Sequence, residues 1–164
     1  MRPVPLPVQL GQESVWDYPR PPRIEDCNSL IRIIFNGLII VQSRHSKRVL
    51  ETSHPPVYYI PMEDVCMEYL VLTPQRSYCE WKGEAGYYSV NVGRRQVKDA
   101  AWNYLVPRPE YKEIADHIAF YARPMDACYV GSELVRPQPS SVYGGWITSN
   151  IVGPFKGEPG SESW

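Results

Sequence analysis

Residues 30–42 read LIRIIFNGLIIVQ, two apolar runs separated by Asn36 and Gly37. Both runs are rich in β-branched residues, and Asn-Gly is the pair that best supports the positive backbone dihedrals of a tight hairpin turn. The stretch places an antiparallel strand pair at the start of the folded core. Outward from it, strands are expected at Lys47 to Glu51, Val57 to Ile60, Ser77 to Lys82, Gly86 to Val92, Ala101 to Leu105, Asp126 to Val130 and Glu133 to Val135. A second hairpin is expected to turn at Gly131 and Ser132. Helical spacing is confined to a short segment near Glu110 to Asp116, followed by a further strand. Many short strands with 17 prolines and 11 glycines predict a mainly β domain with one or two short helices. Its antiparallel sheet should curl into a roll or incomplete barrel.

A chain of 164 residues suits one domain with a real core. The body is expected over residues 29–142. A proline-rich arm (1–28) precedes it, and a glycine- and proline-rich strap (143–164) follows. Trp16 and Tyr18 argue that the arm docks, since exposed aromatic rings forgo about 2 kcal/mol each. The net charge is -1 and the basic residues are dispersed, which argues against nucleic acid as the main partner. No stretch approaches the roughly 20 apolar residues of a membrane span, and the amino terminus lacks a signal-peptide pattern, so a cytoplasmic protein is expected. Cys27, Cys66, Cys79 and Cys128 make no CxxC pair, so free thiols are expected and a zinc ribbon is not.

The candidate site begins at ETSHPPVYYIPMEDV, residues 51–65. Pro55, Pro56 and Pro61 clamp the short strand Val57 to Ile60 at both ends, a stiff frame from which Glu51, Thr52, His54, Glu63 and Asp64 project. Its counterpart is CEWKG, Cys79 to Gly83. On a strand, Cys79 and Trp81 would share one face and Glu80 and Lys82 the other, placing Lys82 away from the thiol. His54 is then the expected partner of a nucleophilic Cys79, with Glu51 orienting the imidazole. No oxyanion-hole motif is recognisable. Lys82 before Gly83 suits an anionic group, and Tyr59 and Trp81 suit packing on a ligand.

NSLIRIIFNG, RVLETSHPPVYYIPMEDV, CEWKG and DHIAFYARPMDACYVGSELV, in that order, resemble the family catalogued as domain of unknown function 427. Some catalogues attach a nucleotidyltransferase label to that family. YGGWIT and GPFKGEPG in the tail are similar to the version carried by cyanobacterial members. The resemblance implies a single, largely β domain of the Mss4-like shape and supplies no established reaction. Nucleotidyl transfer would need clustered carboxylates for magnesium. Adjacent Glu63 and Asp64 would face opposite sides of a strand, and no phosphate-loop motif occurs. The expected function is binding of a small polar or aromatic ligand between the two segments, with simple catalysis by Glu51, His54, Asp64 and Cys79. No metal or cofactor is expected. The alternatives are an interaction module using arm and tail, with a possible homo-oligomer, and a metal-dependent nucleotidyltransferase.

Overall fold

Asn36 and Gly37 have φ of 48° and 80°, and Phe35 pairs directly with Leu38. This is the two-residue hairpin whose twist matches its strands. The computed structural model describes residues 2–164, and fifteen strands run through it. In chain order they are β1 Glu13–Ser14, β2 Arg23–Cys27, β3 Ile31–Phe35, β4 Leu38–Ser43 and β5 Ser46–Leu50. Next come β6 Val57–Pro61, β7 Leu70–Cys79, β8 Gly83–Val92, β9 Arg95–Asn103 and β10 His117–Phe120. The last are β11 Ala127–Val130, β12 Glu133–Leu134, β13 Arg136–Pro137, β14 Trp146–Ile147 and β15 Ile151–Val152.

Seven strands form one sheet in the order β2-β5-β6-β10-β9-β8-β7, with every neighbouring pair antiparallel. Four more form a second sheet, β12-β11-β3-β4. The fold is mainly β, antiparallel and open, with β2 and β7 as free edges rather than closing a barrel. Pro74 lies within β7, where the register shifts between Leu72 and Arg76. An edge strand tolerates the missing N–H there. The segment expected to be a helix is a 3-10 turn over Pro109–Ile114, and β10 follows it as the sequence predicts. Among the described residues no helix is long and apolar enough to cross a membrane.

The main core lies where the two sheets face each other and includes Ile31, Ile33, Phe35, Tyr58, Ile60, Val90, Ile118, Phe120 and Trp146. A second apolar cluster includes Val49, Tyr59, Trp102, Tyr104, Ile114 and Ala119. Alternation along β6 sends Tyr58 to the first and Tyr59 to the second, so the strand is buried on both faces. The arm docks through Val15, Trp16 and Tyr18 on Leu50 and Ile151. Its β1 pairs in parallel with β15 of the tail.

The tail crosses the body closely at Gly144 and Gly145. A Cβ on Gly145 would lie 2.6 Å from the Pro55 carbonyl oxygen and 2.7 Å from Gln138 Oε1. Gly145→Ala is therefore expected to cost about 1–3 kcal/mol by overpacking, read as a lowered midpoint of chemical denaturation; an unchanged midpoint would show that the tail shifts freely.

Candidate functional site

A cavity of about 540 Å³ opens beside the second cluster. Glu51, His54 and Tyr59 reach it from the proline-clamped segment, and Cys79, Trp81 and Lys82 reach it from the β7–β8 turn. Trp102, Tyr104 and Tyr121 line it from the sheet, while Gln138, Tyr143, Lys156 and Trp164 line it from the tail. The segments paired in the sequence reading thus meet at one cavity. Asp64 does not join them. It ends the short 3-10 turn Met62–Asp64, and its Oδ2 accepts from Ser43 Oγ at 2.6 Å with exposed His45 at 3.5 Å.

The expected strand Ser77 to Lys82 stops at Cys79, and Glu80 to Lys82 form the turn into β8. Gly83 has φ of 109°, a conformation that side chains resist and glycine permits. The turn is pinned from outside. Arg108 N donates to Lys82 O at 2.9 Å, and Arg108 Nη1 donates to Glu80 O at 2.9 Å. Because the chain turns, strict alternation ends and Lys82 folds back: its Nζ donates to Cys79 Sγ at 3.3 Å. This corrects the face count, which separated the two. Lys82 is 8% exposed, and its ammonium also faces the Tyr104 ring at 5.7 Å.

His54 follows a tight turn. Ser53 is fully buried with φ of 76°, a positive value uncommon outside glycine. Its N–H donates to Val15 O at 3.1 Å and its carbonyl accepts from Lys156 N at 2.8 Å. Arm and tail therefore clasp one residue. Beside it, His54 Nδ1 lies 3.1 Å from Gln138 Nε2. Two backbone contacts orient that amide: Gln138 Nε2 donates to Lys156 O at 2.9 Å, and Oε1 accepts from Gly145 N at 2.9 Å. The amide nitrogen must then face His54, so Nδ1 is an acceptor and the imidazole proton sits on Nε2. Burial, then the positive charges of Lys156, Arg20 and Lys82, push the His54 pKa down to about 3.

Such an imidazole is a poor general base and a good neutral hydrogen-bond donor. Glu51 does not orient it closely, since Glu51 Oε2 lies 3.9 Å from Nε2 and pairs with Arg20 Nε at 3.3 Å. The tyrosines of the wall are protonated, because burial raises Tyr59, Tyr104 and Tyr121. Tyr59 Oη accepts from Trp102 Nε1 at 3.2 Å. Among the described residues no three His, Cys, Asp or Glu side chains gather as a metal would need. Of the carboxylates considered for magnesium, Glu63 is exposed, Asp64 accepts from Ser43, and neither lines the cavity.

The family model described as Domain of unknown function (DUF427) matches residues 23–131. The chain belongs to that family. No curated protein matches it. Within the DUF427 span lie Glu51, His54, Tyr59, Cys79, Trp81 and Lys82. Arg20, Gln138, Tyr143 and Lys156 lie outside it. Sequence reasoning missed Gln138, Lys156 and Tyr104 as site residues. Gln138 stands among prolines in a segment without periodicity, so no pattern signals its role.

The His54 shift has a definite sign. An unfolded histidine takes its proton near 6.5 and folded His54 only near 3, so between these values the unfolded state binds more protons. Stability should therefore fall as pH drops through that window, by up to about 1.4 kcal/mol per pH unit from this group. His54→Gln is expected to flatten the slope of stability against pH. An imidazole that titrates near 6.5 by NMR would contradict the assignment.

Proposed function

We propose that this DUF427 domain binds a small anion bearing a flat aromatic or unsaturated group, held between the clamped segment and the β7–β8 turn. The observation that carries the reading is Lys82, 8% exposed and without a carboxylate within ion-pair distance among the described residues. A buried ammonium needs a counter-charge, and among the described residues one of its three donors is used, on Cys79 Sγ. Lys156 adds positive charge at the same cavity, where Arg20 is matched by Glu51, and His54 adds a neutral N–H. The surrounding indole and phenol rings supply apolar faces for a planar group. A volume of about 540 Å³ suits a metabolite-sized ligand.

Calorimetric titration with a panel of aromatic carboxylates, sulfonates and phosphates tests the proposal. At least one should bind, and Lys82→Met should weaken it by about tenfold or more, as loss of a charged hydrogen bond requires. A neutral isostere should bind the two proteins alike. Failure of every anion, or equal affinity in the variant, would overturn the reading.

A further inference from the structure

The turn that brings Lys82 to Cys79 builds more than an anion site. Cys79 is half-buried, lines the cavity, and has a lysine ammonium 3.3 Å from its sulfur. An ammonium in that position can donate to sulfur and can give up or take a proton at the reacting centre. Cys27 and Cys66 have no such neighbour among the contacts of the described residues, and Cys128 is buried in the core. The same cavity holds His54 as a neutral donor whose free N–H is on Nε2, the tautomer being set by Gln138. A preorganised, uncharged donor of this kind suits the developing oxygen charge of acyl transfer.

We infer that Cys79 is the nucleophile of an acyl-transfer site, with Lys82 as proton carrier and His54 as oxyanion donor, acting on an ester or thioester of an anionic aromatic or unsaturated acid. The inference rests on the anion-binding reading for its choice of acid. In the reacting form the Cys79 thiolate attacks the carbonyl carbon. A carbon–sulfur bond forms, and the carbonyl π pair moves to oxygen, where His54 Nε2–H donates to it. Collapse breaks the bond to the alcohol or thiol, which leaves with a proton from the Lys82 ammonium. Water then attacks the acyl-enzyme and passes a proton to the Lys82 amine. The carbon–sulfur bond breaks, releasing the acid and restoring thiolate and ammonium. The roles differ from those expected of Cys79, His54 and Glu51: lysine replaces histidine beside sulfur, and histidine moves to the oxygen.

The test uses the full chain with mono-para-nitrophenyl terephthalate and para-nitrophenyl benzoate, an anionic and a neutral activated ester of an aromatic acid. Mass spectrometry should place the acyl group on Cys79, with a burst of nitrophenolate and faster reaction of the anionic ester. His54→Phe should slow acylation by about tenfold or more while leaving alkylation of Cys79 by iodoacetamide unchanged, which a merely structural role would not do. Lys82→Arg should keep alkylation but lose turnover, because guanidinium does not give up its proton. Acylation absent from Cys79, shared equally with Cys27 and Cys66, or indifferent to His54→Phe would overturn the inference. Cys79→Ala separates the two readings: it should abolish acylation and still bind the anion found by calorimetry.

Discussion

Strand β6 has no solvent side, and the rest of the structure is arranged around that constraint. Tyr58 stacks on Trp146 with ring centroids 5.1 Å apart, closing the core between the sheets. Its neighbour Tyr59 points the other way and accepts from Trp102, forming the floor of the cavity. Pro55 and Pro56 give the strand an extended entry, and the Pro56 carbonyl accepts from Trp146 N at 2.8 Å. The prolines that stiffen the site thus also hold the tail that covers it. Movement of this strand would disturb core and cavity together, since its alternate residues serve the two in turn.

Two buried cations are matched very differently in one small domain. Arg48 is 8% exposed and is matched on both sides, by Glu13 Oε1 at 2.8 Å and by Glu25. Its charge is spent on tying the arm to the sheet. Lys82 is as buried, yet among the described residues its ammonium meets a thiol and an aromatic face and no carboxylate within ion-pair distance. Burial without a matching carboxylate costs several kcal/mol unless something supplies the charge, and folding alone gives no reason to retain it. The His54 pKa is depressed first by burial and then by the charges of Lys156, Arg20 and Lys82, which face it across the same cavity.

Much of this was legible in the residues. The Asn-Gly turn, the clamped aromatic strand and the pairing of that strand's segment with CEWKG rest on backbone preferences that act locally. The docked arm followed from the cost of exposing Trp16 and Tyr18. Lys82 was misplaced because alternation was carried three residues beyond the end of a strand, and the end depends on Arg108 reaching back across the chain. Asp64 was grouped with the site by proximity in sequence, whereas its carboxylate is claimed by Ser43 on another strand. Gln138 was invisible for a different reason: its role is set by two backbone groups far along the chain, Gly145 N and Lys156 O.

The clasp at Ser53 has a consequence for how the domain is divided. The span matched to the family ends at residue 131, so it contains the sulfur, the ammonium and the imidazole but not the amide that fixes the imidazole proton. In the proposed acyl transfer, reactivity and selectivity would therefore be encoded in separate stretches of chain. A polypeptide carrying the 23–131 unit with different flanks would keep the thiol beside its lysine. Its imidazole, without Gln138, would be free to choose either tautomer. The unit is a reagent, and its flanks are the mould that decides what the reagent meets.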